Sequence, residues 1–419
     1  MLEIALRQIK IKQEGEMMKK LSLISLMVVL IGGLILNICV KDAPSAPAKP
    51  EAKILKIGVM APITGFMSTA GVPHLRITQL AADWINGKGG ITIKGQKYLI
   101  ELIVEDEKDT PDTAITAATK FVEFHKVKFI VGTISPMQVA AVASVTERAH
   151  VLRSVWHGEG APMEINLQTP YTFRVPVVPR DFAPTLLKYQ IKTYPNVKKI
   201  AMLLIENPAA QFLSEKTKKT AGALGLNVSF SDMYPAALKD FYPVLSKVLA
   251  SKPDAIYCTA LPHLMGGMLK SARELGFDGP ILNLSPTSPE VVRNIAGKAF
   301  ATECIVPAPD STSPEMTPMI KEIRKNLLEK YKECNFDYLR QWDSFWWMVQ
   351  AIEKAQSLDP SEVAKIWEKM DRIESSTGIG KMGGQQSYGI NHIGVLPFAV
   401  TRMVKGELEH AGWFTPEIP

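Results

Sequence analysis

Side chains able to do chemistry gather in a few loops, and none of the gatherings makes a catalytic set. The stretch Val155-Trp156-His157-Gly158-Glu159-Gly160 brings an aromatic face, an imidazole and a carboxylate together. Trp156 can stack on a flat or apolar ligand, His157 can donate to a carboxylate, and Glu159 can pair an amine. The flanking glycines let backbone approach a ligand closely. The alternative is a surface loop with Trp156 packed inward. A second loop, Thr133-Ile134-Ser135-Pro136-Met137-Gln138, reads as a helix start. Ser135 suits the N-cap and Pro136 the first helical position. The free N–H groups beyond them suit a carboxylate, with Ser135 and Gln138 as candidate contacts.

Other signals lead away from chemistry. Glu105-Asp-Glu-Lys-Asp109 offers oxygens to a cation, but it follows a strand beside Thr110-Pro111 and reads as a solvated turn. Gly378-Ile-Gly-Lys-Met-Gly383 matches GxGxxG. It follows no predicted strand, opens no clear helix and has no acid about 20 residues on, so dinucleotide binding is not indicated. GxSxG, HExxH and Walker patterns are absent from the sequence, and the seven histidines are scattered. Cys39, Cys258, Cys304 and Cys334 form no CxxC and no metal-ligand spacing. Cys258 and Cys304 lie in apolar strand-like runs and read as buried thiols. The expectation is a protein that is not an enzyme, with no cofactor and no metal.

The elements around these loops follow a simple alternation. Ile54–Met60 reads as an apolar strand ending at the turn Ala61-Pro-Ile-Thr-Gly65. Leu75, Leu80, Ala81, Trp84 and Ile85 recur at helical spacing over about 70–86, and Gly87-Lys-Gly-Gly90 stops that helix. Strands over 97–104 and 127–131 and helices over 111–126 and 138–150 follow. The pattern restarts after Arg174, with strands over 199–204, 227–231, 254–258 and 280–283. Helices over 209–224, 241–250 and 264–275 separate them. Such strand–helix alternation with short turns predicts an α/β protein built of parallel sheets in two successive Rossmann-like lobes. Helices at 314–333, 338–355 and 360–370 and a strand near 394–401 complete the chain. Ligands of such lobes sit in loops at the C-terminal ends of the strands, and hinge closure traps them.

The N-terminus reads as an address. Lys19-Lys20 precede an apolar run from Leu21 to Val40, as in a secretory signal. The first 16 residues add nothing to that signal, so Met17 or Met18 is the expected start. The Pro/Ala-rich Ala43–Pro50 follows as an extended spacer. Leu36-Asn-Ile-Cys39 looks like a lipoprotein box, with Ile38 where a small residue is expected, which makes Cys39 a candidate for lipidation. Cleavage after Ala46-Pro-Ala48 and an uncleaved anchor are the other two outcomes. All three place the rest of the chain outside the cytoplasmic membrane, in the periplasm or on that membrane's outer face.

Composition agrees with an exported globular protein. The 419 residues are 46% hydrophobic and 21% charged, with net charge +6. Those fractions sit near globular averages of about 45–50% and about 25% and exclude a disordered chain, a coiled coil and a polytopic membrane protein. No basic run interleaved with aromatics indicates nucleic-acid binding.

Several stretches resemble the branched-chain amino-acid-binding family, the type I periplasmic receptors of ABC importers. They are Ile57-Gly-Val-Met-Ala-Pro-Ile-Thr-Gly65, Ala82-Asp-Trp-Ile-Asn-Gly-Lys-Gly-Gly-Ile91, Phe129-Ile-Val-Gly-Thr-Ile-Ser135 and Gly267-Met-Leu-Lys-Ser-Ala-Arg-Glu-Leu-Gly276. Phe173-Arg174, Asp254-Ala-Ile-Tyr257 and Trp342-Asp343 agree. The resemblance covers about 53–405. It implies two lobes joined by a three-strand hinge, with lobe 1 over 53–173 plus 306–377 and lobe 2 over 174–305 plus 378–419, after an N-terminal extension, signal and linker over 1–48. It also implies an extracytoplasmic solute receptor that delivers a small amino-acid-like or carboxylate ligand to ABC permease subunits. A sensor that hands occupancy to a receptor partner uses the same lobes and is the alternative.

The resemblance also places candidate contacts. Phe66 stands where relatives offer an aromatic from the first loop, with hydrophobic capping of the helix as its other reading. The Ser/Thr-rich loop that holds the carboxylate of α-amino acids is replaced here by Pro136-Met137-Gln138-Val139. The family's nearby disulfide is absent, because Lys108 and Ser135 occupy its places. On lobe 2, Asn207, Phe212, Leu261 and Ser285 follow strands at ligand-facing positions. No acid stands beside Ser285, where relatives can bind an ammonium group. That absence favours an aromatic or aliphatic body with one carboxylate over a standard zwitterion. Trp342 can reach the hinge side, although its spacing with Trp346 and Trp347 also fits a core.

Overall fold

A computed structural model describes residues 15–20, 51–65, 67–156, 162–207, 209–334 and 339–418. Residues 15–20 form a short helical stretch. The second unit, Ala52–Pro419, carries the rest. Among the described residues no helix is long and apolar enough to cross a membrane. The apolar run, the spacer and Cys39 lie outside the described residues.

The alternation read from the sequence becomes two sheets. One has nine strands in the order β12-β13-β14-β6-β5-β4-β1-β3-β2, and the other has seven in the order β16-β15-β11-β10-β9-β7-β8. In chain order the first sheet takes β1 (Lys53–Ala61), β2 (Ile91–Ile93), β3 (Gln96–Asp106), β4 (Phe129–Val131), β5 (Leu152–Val155) and β6 (Thr172–Arg174). The second takes β7 (Lys199–Ile205), β8 (Asn227–Tyr234), β9 (Ala255–Cys258), β10 (Ile281–Asn283) and β11 (Cys304–Val306). The chain then returns to the first sheet with β12 (Ile373–Ser375), β13 (Gly378–Gly383) and β14 (Ile393–Val395). It ends on the second with β15 (Phe398–Val404) and β16 (Glu407–Phe414).

Neighbours from β14 through β6, β5, β4 and β1 to β3 are parallel, as are β11, β10, β9, β7 and β8. Antiparallel strands occupy the edges. The central strands β4, β9 and β10 are buried along their whole length, as parallel sheets covered by helices require, and β5 and β6 are equally buried although they carry Arg153, Ser154, Thr172 and Arg174.

The chain leaves the first sheet after Arg174 and comes back after Val306. The third passage differs from the expected break after 377. Residues 378–395 pair into the first sheet, and the chain leaves through Leu396-Pro397. The glycine-rich β13 shows no hydrophobic alternation to mark it as a strand. Its glycines serve close packing, since a Cβ on Gly380 would lie 2.6 Å from Trp347 atoms. The GxGxxG match is therefore this strand. Near the first passage, buried Arg174 donates to Asp181 at 2.6 Å and to Tyr388 at 3.0 Å, and Tyr388 donates to Asp181 at 2.9 Å. That cluster ties the passage to segments on both sides of it.

The Asn86–Gly90 turn has a clear physical basis. Asn86 bridges β3 with its side chain, donating to the Ile100 carbonyl and accepting from the Ile100 amide, each at 2.8 Å. Gly90 has φ +74°, and a Cβ there would meet the Tyr98 carbonyl oxygen at 2.0 Å. Only glycine fits that position.

Candidate functional site

Strand order places the site. In the first sheet β1 lies between β4 and β3, so the winding reverses at β1; in the second it reverses at β7, between β9 and β8. Crevices open beyond the carboxyl ends of strands at such switch points. The loops after β1, β3 and β4 on one side meet those after β7, β9 and β10 on the other. Between them lies a cavity of about 560 Å³. Its size falls within the range of small-molecule sites, about 300–1,000 Å³.

The first sheet contributes Met67, Asp109, Pro111, Ser135, Met137 and Gln138. The second contributes Ile205, Glu206, Asn207, Thr259, Leu261 and Ser285, with Ala236 and Pro286 beside them. Ser135, Gln138, Asn207, Leu261 and Ser285, all read from the sequence, therefore meet on one cavity. Phe212 does not line it; its ring is half-buried on the helix Ala210–Ala223. Phe66, His157 and Glu159 lie outside the described residues.

Two tryptophans occupy other places. Trp156 is fully buried and stacks on His74, with centroids 5.2 Å apart and planes 23° apart. Its amide donates to Thr133 O at 3.1 Å, and its carbonyl accepts from Gln341 at 3.2 Å. The expected stacking of Trp156 on a ligand is corrected to the inward packing: the indole is core, and its backbone joins neighbouring segments. Trp342 is also fully buried, edge-on to Trp84 at 5.4 Å. Its helical spacing with Trp346 and Trp347 reflects packing.

The acidic run at the end of β3 is not a solvated turn. Asp106 accepts from the amides of Ile63, Thr64 and Lys108 and, at 2.6 Å, from the Thr64 hydroxyl. Burial alone would raise its pKa, but these donors outweigh that and lower it. It thereby ties down the loop after β1. Glu107 is completely buried, and burial pushes its carboxyl up to about 7. The Thr133 hydroxyl donates to it and opposes that rise, while Asp109 and Asp106 reinforce it. Beneath the same wall, fully buried Arg153 donates to Val139 O at 3.1 Å and to Thr172 at 2.8 Å. Burial lowers its pKa to about 10.

Asp109, half-buried, reaches the cavity wall. Its Oδ1 accepts from Ser135 Oγ at 2.7 Å and from Gln138 Nε2 at 3.1 Å. Burial raises its pKa against the hydrogen bond from Ser135. Gln138 is 4% exposed, and its Oε1 is buried without a hydrogen-bond partner. Because Ser135 serves Asp109, the helix Pro136–Thr146 begins without a side-chain cap. Across the cavity the helix Pro262–Glu274 also begins uncapped, after Leu261. Uncapped first amides carry partial positive charge suited to a carboxylate.

The opposite wall is held by Asn283. It accepts from the amides of Ala260 and Ser285 at 3.1 Å each and donates to Ala260 O at 3.0 Å. Thr259 Oγ1 accepts from the Ile205 amide at 2.8 Å, and Tyr234 donates to Thr259 O at 2.7 Å. Asn207 accepts from the Ala209 amide at 2.8 Å. Glu206 stands exposed at the cavity rim. Asp109, Glu206, Thr259 and Asn283 were missed by sequence reasoning. Asp109, Glu206 and Thr259 each follow a strand that ends at the crevice and Asn283 is the last residue of one, and that position is the signal that could have found them.

The cavity thus holds two acids, amide and hydroxyl groups and a mostly aliphatic lining. Neither lysine nor arginine is among its described lining residues. The absence of an acid beside Ser285 is real, but acids enter from other loops. The ground for disfavouring an amine is thereby removed.

The family profile described as "Periplasmic binding protein" matches residues 54–407. A leucine-, isoleucine-, valine-, threonine- and alanine-binding protein of Pseudomonas aeruginosa is 24% identical over 333 residues, 78% of this chain and 85% of that one. Among solved structures, the branched-chain amino acid transporter substrate binding protein LivJ of Streptococcus pneumoniae, in complex with isoleucine, superposes with a TM-score of 0.72. It is 21% identical and covers 87% of this chain and 100% of its own. A solute binding protein of an ABC transporter from Rhodopseudomonas palustris, in complex with 3,4-dihydroxybenzoic acid, gives 0.71 at 20% identity, covering 87% and 99%.

Proposed function

The chain belongs to the periplasmic binding protein family, in its branched-chain amino-acid-binding group, and from that premise we propose that it captures a small amino-acid-like solute between its lobes. The family is extracytoplasmic, and its members are substrate-binding proteins, so the work is capture and release, not chemistry. The closed form would dock on an ABC permease, with ATP hydrolysed by other subunits.

One observation carries the ligand class. Asp109 and Gln138 line a cavity that also receives two uncapped helix starts. An ammonium group would pair with Asp109, and a carboxylate would suit the amides. Aliphatic walls at Met67, Ile205 and Leu261 would hold the side chain. Closure of the lobes buries all three contacts together, which strengthens each.

A thermal-shift screen tests the proposal, with branched-chain and polar amino acids, short amides, aromatic carboxylates including 3,4-dihydroxybenzoate, and aliphatic carboxylates. A ligand at 100 times its Kd stabilises by about 2.7 kcal/mol, a rise of a few degrees in Tm. The proposal expects that rise with at least one amino acid. A rise with carboxylates that lack an amine, and with no amino acid, overturns it.

A further inference from the structure

A second cavity, about 660 Å³, lies away from the first. Its walls come from the helices Pro179–Thr193 and Ala210–Ala223, from β13 and β14, and from residues 415–418. Four lysines line it, Lys188, Lys216, Lys219 and Lys381, and Glu417 is the one acid among its described lining residues. We propose that this groove binds a small polyanion carrying two or more phosphate or carboxylate groups.

The groove already shows what it accepts. Lys188 Nζ holds both oxygens of the Glu417 carboxylate, at 2.7 and 2.8 Å. That pair neutralises one lysine. Lys216, Lys219 and Lys381 take part in no ion pair among the described residues. Lys216 and Lys219 are three apart on one helix, so they share a face with Thr220 and Ala223. Lys381 rises from the outward side of β13, in register with Val395 of β14. Three unneutralised cations around one concave space repel one another, and a bound polyanion relieves that repulsion. The groove joins strands of the first sheet to helices beside the second, so a molecule with several anionic groups can engage lysines of both walls at once. Buried Val395 and Ile418 form an apolar floor that limits water around the charges.

Titration calorimetry of the protein with inorganic pyrophosphate at low ionic strength tests this. One-site binding is expected, weakening as salt rises. Lys216→Gln with Lys219→Gln, and separately Lys381→Gln, should each weaken it about tenfold or more, as loss of charge-assisted contacts does. Lys325→Gln, on the helix Pro318–Tyr331 and outside the groove, should leave it unchanged. All four lysines are surface side chains, so the variants keep the fold. No binding at millimolar pyrophosphate overturns the proposal, as does binding undiminished in the groove variants. Sedimentation with phosphatidylglycerol vesicles separates the sources of phosphate: attachment to vesicles without binding of pyrophosphate refutes a free small polyanion.

Discussion

Replacing Asp109 by Asn separates a ligand contact from a structural one. Asn keeps an oxygen to accept from Ser135 and Gln138, which now meet Oδ1 at 2.7 and 3.1 Å. Only the charge is lost. A hydrogen bond to a charged group contributes about 1.5–3 kcal/mol, and half-buried Asp109 belongs in the middle of that range. About 2 kcal/mol corresponds to roughly 30-fold weaker binding of an amine-bearing ligand. Stability should move the other way. The folded-state pKa of Asp109 is raised by burial, so its charged form is disfavoured by folding. That group's stabilising effect is complete below the unfolded pKa of 3.8 and is lost as pH rises through the raised folded value. At neutral pH the Asn variant should therefore be as stable as the parent or slightly more so. Calorimetric titration and thermal melts of the unliganded protein together read both effects. Unchanged affinity, or a loss of affinity that tracks a lower Tm, would refute the reasoning.

Three further outcomes follow from the same wall and its supports. Glu107 is raised from 4.5 to about 7, so its contribution to stability declines as pH climbs between those values, by on the order of 3 kcal/mol; Glu107→Gln should flatten that part of a pH–stability profile measured by urea unfolding. Trp156→Ala removes a fully buried indole from its stack with His74 and should cost about 3–5 kcal/mol in chemical denaturation. Gly90→Ala forces a Cβ against the Tyr98 carbonyl at a positive φ and should lower stability by about 2 kcal/mol or more, read from the Tm.

Much of the architecture was legible in the sequence, for identifiable reasons. Central parallel strands are short apolar runs bounded by turns, so β1, β4, β7, β9 and β10 announce themselves, and the chain restarts visibly after Arg174. The Asn86–Gly90 turn is specified by a side-chain bridge and a positive φ, both written in residue type. The last passage was not legible. Residues 394–401 look like one apolar strand, yet Leu396-Pro397 divides them between two sheets. Side-chain aim was equally hidden. Nothing in Trp156 itself says that its ring turns toward His74 and away from the cleft. Asp109 was masked by its neighbours: an acidic run resembles a solvated turn until the strand order shows that it ends at a crevice. Ser135 and Gln138 were found through a helix start and Asn207, Leu261 and Ser285 through strand ends, the rule that also finds the residues missed.

The central claim is that the cleft holds an amine and a carboxylate at once. The most direct measurement is a calorimetric comparison of the best amino acid from the screen with its analogue lacking the amine. The account predicts that the analogue binds at least about 30-fold more weakly, in line with one lost charge-assisted contact. Equal affinity for the two would contradict it.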